Sequence, residues 1–273
     1  FGVSPDPQAL QRLLHSLYGP NAEVAGLQRL SGGANQATYR LDIAGIDAPQ
    51  RLALRLAGAE AQSSRLSGLN LDTEARLMQL ARSGQVPSPE VVHRLRPEDG
   101  LGSGFLMHWL EGETLGQRIV REARFGKLRE GLAYRCGEVL AAIHALDPSS
   151  VGLEADLPRL SPEAYVRQIW SSYQALKCPQ PMIDYTARWL LEHLPPEHRM
   201  GLVHNDFRNG NLMVDEQDLL AVLDWELAHI GDPIRDLGWI CTNSWRFGAV
   251  DLPVGGFGHR EDLLAGYAAG GGG

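Results

Sequence analysis

The densest group of polar side chains with potential for chemistry lies in residues 202–239. Asp206 and Asn211 are five positions apart on a predicted loop that leaves a strand, and Asp224 ends the predicted hairpin that follows. Mg²⁺ prefers oxygen ligands and commonly takes one or two carboxylates together with phosphate oxygens. A further carboxylate can orient a hydroxyl group and accept its proton. These residue types and spacings indicate phosphoryl transfer from a magnesium-bound polyphosphate.

The order of these residues resembles that of the protein-kinase-like fold. HNDFRNGN (204–211) is similar to the catalytic-loop motif H-x-D-x-x-x-x-N, and VLDWELAHIGDP (222–233) is similar to the metal-binding segment of aminoglycoside phosphotransferases and choline kinases. The resemblance covers most of the chain. It implies that Asp206 is the catalytic base and that Asn211 and Asp224 are magnesium ligands.

The resemblance also suggests roles for three other residues of this segment. Arg208, two positions after the expected base, would stabilise the charge on the transferred phosphoryl group. The alternative for Arg208 is an ordinary surface salt bridge. Asp236 is expected to brace the catalytic loop from a helix, and Asp232 is expected to cap that helix beside Pro233.

The first half of the chain is then expected to hold the nucleotide. Ser31, Gly32 and Gly33 begin the turn SGGANQ between two strand candidates. Backbone N–H groups in such a turn can face phosphate oxygens, and glycine permits a close approach. The alternative is a plain hairpin turn, because the full G-x-G-x-x-G pattern is lacking.

Ala53 and Arg55 match the Ala-x-Lys pattern of the third strand in this fold. They share one strand face, so Ala53 would line the adenine and Arg55 would reach the phosphates. The chain has two lysines, Lys127 and Lys177, both far along the sequence, so arginine takes this place. Glu74, on a predicted helix, is the expected ion-pair partner of Arg55. Two unrelated surface charges are the alternative.

FLMHWLEGE (105–113) occupies the position of the hinge between the two lobes of this fold. The adenine is expected to pair there with backbone groups near Met107 and Trp109. Residues 1–108 would form an N-lobe with an N-terminal helix and a nucleotide-binding sheet and helix. Residues 109–273 would form a C-lobe with the catalytic loop, the metal site and acceptor-binding helices. Because the chain ends in a run of glycines, we expect this lobe to be C-terminally incomplete.

Hydrophobic periodicity predicts the elements that position these residues. Alternation over 36–43 and 51–57 indicates strands, and the turn 215–218 indicates a hairpin. Spacings of three and four residues indicate helices over 6–19, 72–82, 161–176 and 181–194, with another beginning near 129. The predicted fold class is α+β, with a small antiparallel sheet followed by a mostly helical part.

Composition excludes several other classes of protein. The 273 residues are 44% hydrophobic and 21% charged, as in globular proteins. A net charge of −8 argues against a nucleic-acid partner. The chain contains no apolar run long enough for a membrane span. Three separated cysteines and no recognisable leader favour a cytoplasmic protein, and the sequence leaves the oligomeric state open.

These features predict an enzyme that moves the γ-phosphoryl group of ATP, or another nucleoside triphosphate, to a hydroxyl group of a small molecule with Mg²⁺. The sequence is most similar to phosphotransferase domains related to those fused to acyl-CoA dehydrogenases, which implies a hydroxyacyl acceptor. An acceptor pocket is expected between the 161–194 helices and SWRFGAVDLPVGGFG (244–258), with Arg246 facing an anionic group. The alternatives are an aminoglycoside kinase and a catalytically silent nucleotide-binding protein.

Overall fold

The computed structural model describes residues 4–30, 36–58 and 68–273. The first elements are α1 (Pro7–Tyr18), β1 (Glu23–Arg29), β2 (Gln36–Ala44), β3 (Gln50–Ala57), α2 (Leu71–Ser83), β4 (Val91–Arg94) and β5 (Gly104–His108). The following elements are α3 (Gly116–Arg121), α4 (Gly126–His144), α5 (Pro162–Ala175), α6 (Pro181–Glu192), β6 (Gly201–Val203), β7 (Leu212–Val214), β8 (Leu219–Val222), β9 (His229–Gly231), α7 (Ile234–Trp239) and α8 (Arg260–Ala269). The protein has the protein-kinase-like α+β fold that the sequence predicts.

The first elements form an antiparallel five-stranded sheet in the order β1-β2-β3-β5-β4. Strands β2 and β3 pair with Leu41 opposite Leu52, and both side chains are fully buried. Helix α1 buries the apolar face predicted from its spacing, which includes Leu10 and Leu14. Asp6 caps α1 by accepting a hydrogen bond from the backbone N–H of Gln8 at 3.0 Å. Alternating apolar residues thus place the sheet over a core of its own.

A second and larger core joins α2 to the helices of the C-terminal part. Phe105, Phe125, Phe207 and Trp225 are its largest fully buried side chains. Since α2 contributes to this core, it ties the sheet to the helical part. The boundary between residues 108 and 109 stays a prediction.

Two short antiparallel strand pairs carry the candidate catalytic and metal-binding residues. Strands β7 and β8 form the predicted hairpin, whose turn is closed by a hydrogen bond from the backbone N–H of Asp215 to the carbonyl of Asp218 at 3.1 Å. Strand β6 pairs with β9. Because Asn211 precedes β7 and Asp224 follows β8, antiparallel pairing brings both to the same end of the hairpin. Within the described ranges, no helix is both long and apolar enough to cross a membrane.

Candidate active site

The loop after β6 is held by one buried carboxylate on helix α7. Asp236 is fully buried and accepts hydrogen bonds from the backbone N–H groups of His204 and Asn205, each at 2.8 Å. The Nε2 atom of His144 lies 3.1 Å from the same carboxylate. These contacts confirm the prediction that Asp236 braces the loop from a helix. The backbone at the start of HNDFRNGN is therefore fixed by a side chain of helix α7.

The electrostatics of this brace keep its charge on the carboxylate. Burial raises the pKa of Asp236, but hydrogen bonds from His144 and the loop backbone outweigh it, so the pKa lies below its usual value. Burial lowers the pKa of His204. His204 is therefore neutral near pH 7, and its Nε2 atom lies 3.0 Å from the carbonyl of Leu223. Asp232, as expected, accepts a hydrogen bond from the backbone N–H of Ile234 at 3.1 Å.

Asp206 lies at the front of this loop and is surrounded by donors. Its Oδ1 atom accepts from Trp239 Nε1 at 2.9 Å and Arg208 Nε at 3.1 Å. Its Oδ2 atom accepts from Asn211 Nδ2 at 2.6 Å and lies 3.1 Å from Arg208 Nη2. A carboxylate has about four acceptor positions, so these donors occupy its full capacity. Arg208 has a side chain that is 25% exposed, and it has the largest number of rotatable bonds among these partners.

Asn211 and Asp224 provide oxygen atoms at one end of the hairpin. The backbone N–H of Leu223, next to Asp224, donates to the carbonyl of Asn211 at 2.8 Å. Both side-chain hydrogen bonds of Asn211 Nδ2 run to Asp206, at the backbone carbonyl and at Oδ2. These bonds use the amide nitrogen of Asn211 and leave its Oδ1 atom as the side-chain atom that can bind a cation. An amide oxygen and a partly exposed carboxylate fit Mg²⁺, which completes its coordination with water and phosphate.

A buried ion pair from the sheet reaches the same place. Arg55 Nη1 lies 2.6 Å from Oε1 of the fully buried Glu74, so the predicted pair forms. Arg55 Nη2 lies 3.5 Å from Oδ1 of Asp224, and the guanidinium therefore spans the gap between sheet and hairpin. Burial raises the pKa of Glu74 to about 7, and Arg55 only partly offsets this. Ala53 lies on the same strand, directly opposite Met107 of β5.

Three polar residues in this region were missed by the sequence analysis. Trp239 donates to Asp206, as described above. Gln36 accepts from Arg55 Nη2 and donates to Oε2 of Glu226 at 3.3 Å. Burial, and then the neighbouring Asp224, raise the pKa of Glu226. Glu226 had one available signal, its position two residues after Asp224 in the DWE segment.

The predicted hinge, residues 105–113, begins within strand β5 and continues past its end. Met107 is half-buried against the larger core, and the N–H of Trp109 donates to the carbonyl of Arg51 at 3.1 Å. That N–H group is thus already used, and the expected pairing of this segment with an adenine stays a prediction that would need its other backbone groups. Ser31, Gly32 and Gly33 lie outside the described residues. Their expected contact with phosphates stays a prediction.

Among the described residues, no three His, Cys, Asp or Glu side chains cluster in a way that suits a metal ion. Such clusters are typical of zinc and other transition metals, which need several strong protein ligands. Magnesium differs, because it retains water and uses substrate phosphates as ligands. Asn211 and Asp224 therefore remain the residues best suited to it.

The chain has a small sheet joined to a helical part, and the helical part carries HNDFRNGN and the DWE segment. These features define it as a phosphotransferase of the kinase-like fold. Residues 26–271 match the phosphotransferase enzyme family, and the chain belongs to this family.

Similar sequences occur within much longer proteins. An acyl-CoA dehydrogenase family member 10 from Mus musculus is 28% identical over 241 residues, which cover 85% of this chain and 22% of that protein. An acyl-CoA dehydrogenase family member 11 from Gallus gallus is 30% identical over 181 residues, which cover 62% of this chain and 22% of that protein. The matched region is thus about a fifth of these relatives.

Solved structures show the same fold at low sequence identity. A Ralstonia eutropha JMP134 structure, provisionally described as an aminoglycoside phosphotransferase, has a TM-score of 0.75 at 22% identity and covers 98% of this chain and 80% of its own. A macrolide 2′-phosphotransferase from Brachybacterium faecium has a TM-score of 0.63 at 20% identity, covering 98% and 84%. A ternary complex of an aminoglycoside phosphotransferase with streptomycin and ATP has a TM-score of 0.62 at 18% identity, covering 97% and 83%.

Proposed function

We propose that the chain transfers the γ-phosphoryl group of a magnesium-bound nucleoside triphosphate, with ATP as the expected donor, to a hydroxyl group of a small molecule. The observation that carries the proposal is the continuous set of contacts that links Arg55, Asp224, Asn211 and Asp206 through the hairpin. Phosphoryl transfer depends mainly on positioning and on charge stabilisation, and these residues supply both. Structural neighbours in complex with ATP and ADP support a nucleotide donor.

On this proposal the sheet and the hairpin hold the donor from two sides. Arg55, fixed by Glu74, directs its guanidinium toward the phosphates, and arginine suits this role because it can bind phosphate oxygens in a bidentate way. Ala53 would line the adenine, with hinge backbone near Met107 and Trp109. Asn211 and Asp224 would hold Mg²⁺, which neutralises phosphate charge when bound.

Asp206 would act on the acceptor. Its carboxylate accepts the proton of the acceptor hydroxyl while that oxygen bonds to the γ-phosphorus, and the bond to the leaving nucleoside diphosphate breaks. Because four donors occupy Asp206, a hydroxyl group must displace one of them. We assign this displacement to Arg208, which would then turn from Asp206 to the transferred phosphoryl group and stabilise its charge.

The acceptor has two candidate classes. The relatives named acyl-CoA dehydrogenases support a hydroxyacyl compound. The structural neighbours described as streptomycin and gentamicin complexes support an aminoglycoside. A silent nucleotide-binding protein is less well supported, since Arg55 keeps the ion pair that lysine would make. Three free cysteines suit the reducing cytosol, which we propose as the compartment.

The test is an ADP-release screen of the purified protein with Mg²⁺ and ATP. The acceptor panel includes hydroxyacyl-CoAs, free hydroxy acids, aminoglycosides, choline and sugars. We expect at least one class to accelerate ADP release, and removal of Mg²⁺ with a chelator to abolish that acceleration. If ATP binds while no acceptor in a broad panel changes ADP release, the silent alternative is favoured.

A further inference from the structure

A pocket of about 690 Å³ opens beside the proposed catalytic loop. One wall is helix α3 with Leu115 before it, and another is formed by Trp245 and Phe247. Its floor includes Arg208 and Asn209 of the loop itself. The volume lies within the range of small-molecule sites, so the pocket is large enough for an acceptor.

The pocket adjoins Asp206 through a short chain of contacts. The Arg208 guanidinium bonds to Asp206 and lies 4.6 Å from the centre of the Trp245 ring. Trp239, which also donates to Asp206, packs edge-on against Trp245 with ring centres 5.5 Å apart. A molecule in the pocket that displaces Arg208 would therefore bring its own hydroxyl group to Asp206.

Several features distinguish this pocket from an accidental surface hollow. Asn209 is 2% exposed, and its Nδ2 atom donates to the carbonyls of Trp245 and Gly255 at 3.0 and 2.6 Å. Its buried Oδ1 atom has no hydrogen-bond partner among the described residues, and such groups normally find one. A side chain on Gly116 would lie 2.3 Å from the Phe247 ring, so glycine is needed for the close approach of the two walls. Asn209 therefore ties the proposed catalytic loop to the 245–255 segment, and this side of the pocket is tightly built.

The charged residues of the lining favour an anion. The lining contains three guanidinium groups, those of Arg118, Arg121 and Arg208, and one carboxylate, that of Glu122. Glu122 is itself paired with Arg124 at 2.7 Å. Two of the arginines also have acidic partners, since Arg118 pairs with Glu113 at 3.0 Å and Arg208 pairs with Asp206.

Arg121 is the exception among these arginines. No carboxylate lies within ion-pair distance of its guanidinium in the part of the chain that the structure describes. It donates from Nε and Nη2 to the carbonyl of Phe247, at 3.2 and 2.8 Å. These bonds anchor the cation at the pocket wall without neutralising it. Phe247 has a φ of 49°, which is rare for a bulky residue.

We propose that this pocket is the acceptor site and that it selects an acceptor with an apolar stem and an anionic end, a carboxylate or a phosphate, which binds Arg121. The inference rests on the proposed phosphoryl transfer and specifies its acceptor. The aromatic wall covers the stem, and the hydroxyl group lies at the end near Asp206. A polycationic aminoglycoside needs an acidic wall, whereas this pocket presents three arginines.

The pocket also corrects two expectations about the acceptor. Arg246 donates to the carbonyls of Cys241 and Val250, at 2.9 and 3.1 Å, and so supports its own segment instead of facing an anion. The helices α5 and α6 do not contribute to the lining of this pocket. The 244–258 segment does contribute, as expected, through Trp245 and Phe247.

The test measures binding in the presence of magnesium and ADP, so it needs no turnover. The probes are short-, medium- and long-chain hydroxy acids with the hydroxyl group at the end opposite the carboxylate, the uncharged methyl ester of each, and kanamycin. We expect at least one acid to bind about tenfold more tightly than its ester, the size of one charge-assisted hydrogen bond. Arg121→Gln keeps a donor for the Phe247 carbonyl without the charge, and it should remove the preference. Arg121→Lys should retain part of it.

The control is Arg94→Gln, because Arg94 pairs with Asp72 on the outside of the sheet. It should leave the preference unchanged, and thermal unfolding of all variants checks that they fold. Equal affinity for acids and esters, no binding of any acid, or tighter binding of kanamycin would overturn the inference. Phosphorylation of kanamycin without a preference for acids would support the proposed function and reject the inference. An acid that binds through Arg121 but is never phosphorylated, while another class of acceptor is, would show an anion site that is not the acceptor site and would also overturn the inference.

Discussion

Three acidic residues near the cleft have different environments and therefore suit different tasks. Asp206 is held by four hydrogen-bond donors, which fix the orientation of its carboxylate. Asp224 has one guanidinium at 3.5 Å and a side chain that is 34% exposed, so it remains open to a cation. Glu74 is fully buried against Arg55. Differences in burial and partners thus suit these three residues to the proposed roles of base, metal ligand and structural anchor.

The substitution Asp224→Ala tests the metal assignment. We expect it to weaken magnesium-dependent binding of ADP by at least the roughly 10–100-fold that even an outer metal partner contributes. Isothermal titration with and without Mg²⁺ measures the effect. Asp47→Ala, in the exposed turn between β2 and β3, is the matched control. If Asp224→Ala binds ADP with the same magnesium dependence as the parent, Asp224 is not a ligand.

The raised pKa of Glu74 predicts a pH dependence of stability. Its pKa is about 7 in the folded protein against an ordinary value of 4.5, so the folded state holds a proton that the unfolded state releases between these values. The contribution of Glu74 to the free energy of unfolding therefore falls as the pH rises from about 4.5 to 7. Glu74→Gln should remove this loss.

Urea unfolding of the parent and of Glu74→Gln at pH 5 and pH 7.5 measures the difference. We expect the variant to gain stability relative to the parent at the higher pH. Glu90→Gln, at an exposed ion pair with Arg82, should show no such change. A relative loss at the higher pH would mean that the pair with Arg55 is worth more than the burial of Glu74 costs.

Helix α7 is short, yet it fixes the loop that carries Asp206. It places Asp236 behind the loop, where the carboxylate accepts two backbone N–H groups and a bond from His144. His144 in turn contacts the hydroxyl group of Tyr267 on α8 at 2.9 Å. The last described helix is thus connected to the proposed catalytic loop through buried polar groups.

Asp236→Asn tests this brace. The amide keeps one acceptor but sets a donor against a backbone N–H group, so we expect a loss of about 2–3 kcal/mol in the free energy of unfolding. Turnover should fall with little change in ATP affinity, because the residues proposed to hold the nucleotide are elsewhere. Asp232→Asn, which still caps α7, is the control and should cost well below 1 kcal/mol. Equal stability of the two variants would argue against the brace.

The elements with regular periodicity were predictable from the sequence. Alternation in 51–57 matches β3, and helical spacing in 6–19 matches α1, because each buries one face against the sheet core. The short elements β9 and α3 have too few residues for a period. Their positions depend on pairing and packing with distant segments.

The same distinction applies to the candidate site. Asp206, Asn211 and Asp224 lie within one stretch of sequence, so their residue types and spacing alone predicted a common site. Gln36 meets Glu226 across 190 positions, which only the folded chain reveals. Arg246 has the chemistry of an anion-binding residue, but backbone carbonyls of its own segment occupy it. Residue type therefore indicated the chemistry, while tertiary packing decided which arginine is available.

At the scale of the whole molecule, the sheet and the helical part meet where the nucleotide is proposed to bind. The contacts Arg55–Asp224 and Gln36–Glu226 cross this junction. The backbone N–H of Leu69 also donates to the carbonyl of Glu226 at 2.7 Å. A ligand held by both sides stabilises the folded protein by a free energy that grows with the logarithm of the ratio of its concentration to its Kd.

The central claim is that this junction supports phosphoryl transfer with Asp206 as the base. The most direct measurement follows γ-³²P from ATP, in parallel with ADP, for the parent protein and Asp206→Asn with an acceptor found in the screen. We predict one labelled acceptor for each ADP in the parent, and a loss of about 100-fold or more in the variant with nearly unchanged ATP affinity. Labelled acceptor formed at the same rate by Asp206→Asn would contradict the account.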